Sequence, residues 1–280
     1  MPLKINNPLY QSIRSKDIAA IKRLYATDLP VDTDHPMDMD PLIAAFKTAS
    51  DDTVRCVIDL LAGGNAGAGQ HMNKYITRYI PYLFRGESNW LCLFIKTFGI
   101  ISFKGHESIF CKTAKPCHYR LLLSENVCFD MQNSLRYTII YGRHAAFEYL
   151  LSLVKYQEQL DYVYLGPNGV QQTLLSLCAT TGYYKGLTGL VKAGANVNIV
   201  SVNERGEARN VLMAAVDNQH YHKLKDRDRL MVQRCIYYLA SIYDINSHNA
   251  CGQTALLFAN RAGNSDLVKI ILELGANGEK

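Results

Sequence analysis

Near the C-terminus the apolar positions recur at helical spacing. Leu256, Ala259 and Ala262 share one face of a short helix, and Gly263 stands where that helix must turn. Leu267, Val268, Ile270, Ile271 and Leu272 then give a second helix a wide apolar stripe, which Gly275 ends before Ala276-Asn277 begin a new turn. Glycine suits the left-handed conformation in which helices commonly stop. The same order occurs earlier in the chain. Thr173-Leu174-Leu175-Ser176-Leu177-Cys178-Ala179 leads to Gly182, then to Leu187, Leu190 and Val191, then to Ala193-Gly194-Ala195-Asn196-Val197-Asn198. Leu175 precedes Gly182, as Leu256 precedes Gly263, by two helical turns. Neither helix can bury its stripe alone. The pattern therefore predicts stacked helix-turn-helix units that cover one another, with Leu175 and Leu256 buried between them.

Weaker copies flank these. Pro8-Leu9 returns as Pro41-Leu42. Asp17 to Leu24 reads as the second helix of a capping unit. Asp40 to Ala45 opens a better copy, with a second helix from Val54 to Leu61 and an end at Gly63-Gly64-Asn65. Asp32 to Asp40 has the composition of a loop. Ser134-Leu135 to Gly142 repeats the Leu-to-Gly interval, and Phe147, Leu150, Leu151 and Val154 supply its stripe. Asn210 to Ala215 opens a copy that lacks the glycine. A polar insertion, Asp217 to Arg229, separates it from a second helix, Met231 to Leu239, and Asp244-Ile245-Asn246 closes it. The middle of the chain has no opening or closing motif. Tyr75–Leu83 with Trp90–Phe98, and Ile109–Thr113 with His118–Leu123, form two helix pairs on one reading; a small inserted domain is the other. The expected divisions are 1–70, N-terminal repeats; 71–128, divergent repeats or an inserted segment; and 129–280, C-terminal repeats with the insertion at 217–229.

Thr254-Ala255-Leu256-Leu257 and the closing Gly194-Ala195-Asn196-Val197-Asn198 resemble an ankyrin repeat. That signature opens with Thr-Pro-Leu-His and recurs at about 33 residues, the interval between Pro8 and Pro41. Ala255 and Leu174 stand in place of its proline, and Leu257 and Ser176 in place of its histidine. The resemblance implies an all-α fold, an ankyrin-repeat solenoid of stacked helix-turn-helix units with an irregular middle segment. It also implies a non-enzymatic scaffold that binds a protein through a concave face of first helices and hairpin tips. Carried over residue by residue, the first-helix contacts are Arg136, Ile140 and Tyr141; Ser176, Thr180 and Thr181; Met213, Asp217 and Asn218; and Leu257, Asn260 and Arg261. The hairpin tips add His35, Asp38, Asn203, Arg205, His248 and Asn249. Irregular repeats with insertions are similar to those of ankyrin effectors of intracellular bacteria and large DNA viruses, which act on host proteins.

Composition changes this picture little. The net charge of +5 is spread thinly over 280 residues and does not suggest a nucleic-acid partner. No apolar run is long enough to span a bilayer, and the first residues hold no apolar signal core. The eight cysteines mostly fall on apolar helical faces and read as small buried hydrophobes in a reducing compartment. The expectation is a cytoplasmic monomer without cofactor or metal, placed in a host cytosol if a pathogen secretes it.

Three segments offer chemistry. Cys111-x5-Cys117-His118, with His106 as a fourth group, lacks the tight spacing of structural zinc and reads as core or loop thiols beside a surface histidine. Gly63 to Gln70 lacks the Lys-Ser/Thr of a phosphate loop and reads as an inter-repeat loop. His220 to Arg229 alternates acid and base; it reads as a solvated helical extension, or as a protruding contact element. The competing function is a hydrolase or transferase that pairs Cys111, Cys117 or Cys128 with His106, His118 or His144 and uses the repeats as a substrate arm.

Overall fold

The computed structural model describes residues 8–28, 40–63, 72, 75–85, 89–166, 169–218 and 221–277. The chain divides into two compact units, Met1–Asp130 and Met131–Lys280. His35, Asp38, the Gly64–Gln70 loop and His220 lie outside the described residues.

Unit 1 is built from helix pairs: α1 (Pro8–Ser15) with α2 (Ile18–Asp28), α3 (Pro41–Thr48) with α4 (Asp51–Gly63), α5 (Ile76–Leu83) with α6 (Asn89–Phe98), and α7 (Glu107–Phe110) with α8 (Pro116–Ser124). The first helices α1, α3, α5 and α7 pack in a row, and the second helices α2, α4 and α6 pack in another. Among the described residues, the middle of the chain holds the helices α5 to α8. Asp40 starts α3 by accepting from the backbone N–H groups of Leu42 (2.9 Å) and Ile43 (3.1 Å), with Pro41 in the first turn. Its second oxygen accepts from the Tyr79 hydroxyl at 2.8 Å, which fastens α5 to the start of α3.

The core of unit 1 is aromatic. Phe84 lies 4.9 Å from Phe110, 5.4 Å from Phe103 and 5.3 Å from His118, ring centre to ring centre. His118 is fully buried, which corrects its expected surface position: its Nδ1 accepts from the Lys115 N–H (3.0 Å) and its ring packs edge-on against Phe84.

Unit 2 repeats the plan. Its pairs are α9 (Met131–Ile140) with α10 (His144–Leu153), α11 (Leu174–Thr181) with α12 (Tyr184–Lys192), α13 (Val211–Val216) with α14 (Asp226–Ala240), and α15 (Ala255–Arg261) with α16 (Ser265–Glu273). First helices α9, α11, α13 and α15 stack on one side; second helices α10, α12 and α14 stack on the other. Leu175 and Leu256 are buried as expected. Gly142, Gly182 and Gly263 each take a positive φ at the end of a first helix.

Two features exceed the sequence reading. Short hairpins join the pairs: β1 (Tyr164–Leu165) and β2 (Gln171–Gln172), then β3 (Ser201–Val202) and β4 (Ala208–Arg209), forming one antiparallel sheet in the order β1-β2-β3-β4. The 217–229 insertion is also partly helical. α14 begins at Asp226 rather than Met231, where Asp226 and Asp228 in the first turn favour the positive helix end. The extra turn packs back on the preceding pair. A side chain at Gly182 would meet the Asp228 carbonyl of this turn at 3.2 Å, and Met231 Cβ and the Val232 nitrogen just beyond it at 3.0 Å.

Candidate protein-binding surface

The hairpin side of unit 2 is organised by one turn used twice. Asn203 Oδ1 accepts from the N–H groups of Arg205 and Glu207, both at 3.0 Å, and Gly206 turns the chain at φ 77°. Asn249 Oδ1 accepts from Cys251 (3.0 Å) and Gln253 (2.9 Å), with Gly252 at φ 73°. Asparagine makes this turn because its short amide mimics a backbone acceptor, and glycine supplies the positive φ.

The turns place a charged network between successive repeats. Glu207 Oε1 accepts from Gln253 Nε2 and from Arg261 Nη1, both at 2.8 Å, while its Oε2 accepts from Asn203 Nδ2 at 2.8 Å. These hydrogen bonds, from Asn203 first and then Gln253, hold the Glu207 carboxyl below the ordinary glutamate value. Beneath it, Asp217 Oδ2 accepts from Arg209 Nη1 at 2.7 Å and from Asn203 Nδ2 at 3.2 Å. The Asp217–Arg209 pair is buried, with side chains 2% and 10% exposed, so neither charge can lose its partner cheaply. Arg205 and Arg261 remain more open, at 43% and 38%.

The structure therefore brings together Asn203, Arg205, Asp217, Asn249 and Arg261, which the sequence had placed on separate repeats. Two of them are corrected as contacts. Asp217 is buried as the partner of Arg209, and Asn203 is buried because its amide builds the turn. Ser176 and Met213 are buried too. Ser176 exchanges hydrogen bonds with Thr173 at the start of α11, and Met213 lies in α13, every residue of which is buried. Glu207, Gln253 and Arg209 were missed, although the shared spacing Asn203-x-x-Gly206-Glu207 and Asn249-x-x-Gly252-Gln253 carried the signal.

The ends of the first helices are linked by amides. Asn264 Nδ2 donates to the Asn218 carbonyl at 2.9 Å, and Asn218 Nδ2 donates to the Thr180 carbonyl at 3.0 Å. Asn218 and Thr180 are half-buried in this ladder, whereas Thr181, Asn260 and His248 are exposed and Leu257 and Asn249 half-buried. At α9, Tyr137 and Tyr141 stack with ring centres 5.9 Å apart and planes 13° from parallel. The Arg136 guanidinium lies 5.4 Å from the Tyr137 ring centre and 5.1 Å from that of Tyr164, so it spaces the aromatics rather than projecting free. Ile140 beside them is exposed.

Of the cysteine–histidine candidates, Cys111 and His118 are engaged in packing, whereas Cys117 and His106 are half-buried and Cys128 and His144 are exposed. Cys111 is fully buried with Sγ 3.1 Å from the Tyr119 hydroxyl. Cys178 and Cys235 are buried, and desolvation pushes both thiols up, Cys235 to about 12. Among the described residues no three metal-ligating side chains converge, and no helix is long and apolar enough to cross a membrane.

No protein-family model matches the chain, and no curated protein matches it. Among solved structures it is similar to the ankyrin repeat domain of Bcl-3, at 16% identity over 96% of this chain and 99% of that one, with a TM-score of 0.44. It is similar to the human ASB11 ankyrin repeat domain at 15% identity, covering 98% of this chain and 100% of that one, with a TM-score of 0.42. A third similar structure is an ankyrin repeat domain from Acinetobacter baumannii AYE, at 16% identity over 96% and 98% of the two chains, TM-score 0.36. The chain's own geometry carries the fold: paired helices in two rows, glycine turns at positive φ and hairpins between pairs make it an ankyrin-repeat fold.

Proposed function

We propose that the chain is a non-enzymatic scaffold that binds a protein partner through the hairpin and first-helix side of unit 2. The observation that carries this reading is the pair Arg205 and Arg261, open to solvent at the edge of one carboxylate network: Arg261 donates to Glu207 at 2.8 Å, and Arg205 lies 3.9 Å from both Glu207 and Asp217. Among the described residues, one hydrogen bond commits the Arg261 guanidinium, and the fork has five donors. An arginine held in place loses little freedom on meeting a partner carboxylate or main-chain carbonyl. The Tyr137–Tyr141 stack beside Ile140 supplies rigid aromatic area, the usual material of interface anchors. A cytosolic partner accords with the buried thiols. That it is a host protein, met by this chain as an effector, is supported only by the irregularity of the repeats, at 217–229 and through 71–128.

Capture of partners from cytosolic extract, followed by calorimetry with the captured protein, tests the reading. Tyr141→Ala and Arg261→Ala should each weaken binding by about 1–3 kcal/mol with the fold intact. Lys269→Ala on α16 should change nothing. The reverse pattern would refute this face as the interface. Turnover by the intact chain that is lost in Cys117→Ser or Cys128→Ser would revive the enzyme reading.

A further inference from the structure

The second-helix side of unit 2 carries a groove that the hairpin reading does not use. It lies between α10 and α12 and has a volume of about 420 Å³. Phe147 and Leu151 of α10 form its apolar floor with Gly189 of α12, and Lys185 and Lys192 stand at its margin. Gly189 keeps it open, since a Cβ there would stand 3.2 Å from Leu151 Cδ2.

The charges along this groove are unbalanced. Among the described residues, neither Lys185 nor Lys192 forms an ion pair. The carboxylate in the lining, Glu148, accepts from the Tyr183 hydroxyl at 2.9 Å. Positive charge continues onto α14, where Arg234 lies over the Tyr184 ring at 4.3 Å. Lys185 and Lys192 are two helical turns apart, a rise of about 10 Å. Carboxylates one heptad apart on another helix have the same separation, and the residues between them would face the apolar floor.

We propose that this groove docks an acidic amphipathic helix of a protein partner, its apolar stripe on Phe147, Leu151 and Gly189 and its carboxylates against Lys185 and Lys192. The interaction is separate from the hairpin side, so one chain can hold two partners at once. Lysines at the margin set orientation and encounter rate, while the floor supplies most of the buried area.

Helical peptides displayed on phage and randomised on one face, selected against the intact chain, provide the test. The enriched peptides should carry an apolar stripe flanked by Asp or Glu one heptad apart. Their binding should fall by at least roughly tenfold with Lys185→Glu/Lys192→Glu, and as much with Gly189→Leu, which fills the floor. Arg261→Ala should leave it unchanged. If a bulky or charge-reversed variant fails to fold, Lys185→Ala/Lys192→Ala repeats the measurement without added bulk. No enrichment, enriched peptides lacking acids, or peptides indifferent to the groove variants would each overturn the proposal. Peptides lost with Arg261→Ala instead belong to the hairpin side, which overturns the groove while sparing the other interface. Sedimentation with phosphatidylserine vesicles that depends on the two lysines, with no peptide selected, would assign the surface to a membrane and also overturn it.

Discussion

Units 1 and 2 build the same helix pairs with different materials. In unit 1 the pairs are locked by aromatic side chains: Phe46 stacks on Tyr82 at 5.7 Å, Phe84 meets Phe103, Phe110 and His118, and Trp90 donates to Asp51. In unit 2 they are locked by polar turns, the Asn203 and Asn249 loops and the Glu207 and Asp217 network. The difference extends to the backbone. Three of the four first helices in unit 2 end on Gly142, Gly182 and Gly263, the exception being α13, which ends on Asp217 (φ −77°); in unit 1 the first two end on Lys16 (φ 63°) and Ala49 (φ 52°). Non-glycine residues tolerate that conformation at a cost of about 1 kcal/mol. Aromatic packing thus specifies stacking without short motifs, while turn chemistry specifies it through them.

The largest effects should come from opening either kind of core. Leu256→Asp buries an unpaired carboxylate in unit 2, and Phe84→Ala empties the aromatic cluster of unit 1. Each should cost about 3–5 kcal/mol. Denaturant titration with probes in each unit would show whether the loss stays local. Unchanged midpoints for both variants would refute the stacked-pair description. Next is the buried charge pair. Asp217→Ala leaves Arg209 buried without its carboxylate and should cost about 3 kcal/mol, whereas Arg205→Ala should cost well under 1 kcal/mol. Equal costs would mean that the network is peripheral to unit 2.

A smaller effect is pH-dependent. Glu207 is held below the ordinary glutamate value, so its contribution is present above about pH 5 and is lost as pH falls through the folded-state value. Glu207→Gln should therefore lower stability by roughly 0.5–1 kcal/mol near neutrality, and the gap from the parent should close as pH falls through the depressed folded-state value. A gap that widens in acid would reverse the assigned sign. The smallest expected effect is a gain: Ala49→Gly should relieve the left-handed strain and stabilise unit 1 by about 0.5–1 kcal/mol, read as a raised melting temperature. A loss would show that α3 does not end as described.

The same contrast explains what was legible in the sequence. Gly182, Gly263 and the Gly-Ala-Asn closings announce the pairs of unit 2 because their chemistry is local: a turn at positive φ leaves a mark on the residue that makes it. In unit 1 the equivalent turns fall on Lys16 and Ala49, which carry no such mark, and the locking contacts join residues far apart, such as Asp40 with Tyr79. Helical periodicity still located those helices. The surface divided likewise. The exposure of Arg261 and Asn260 follows from the repeat pattern. The burial of Ser176, Met213, Asp217 and Asn203 does not, because it depends on which neighbours cover each position. The groove between α10 and α12 depends on Gly189, a glycine inside a helix that periodicity alone does not distinguish.

Gly182 bears on how the array can change. In a regular solenoid each repeat meets its neighbours through an interchangeable surface, and units can be removed, duplicated or shuffled. Here the first two turns of α14 lie so close to Gly182, through the Asp228 carbonyl, Met231 and Val232, that the preceding pair has no room for a side chain at that point. The pair α11/α12 and the pair α13/α14 are therefore matched to each other: neither can be swapped for a generic repeat, and the two should open and close as one cooperative block of the chain.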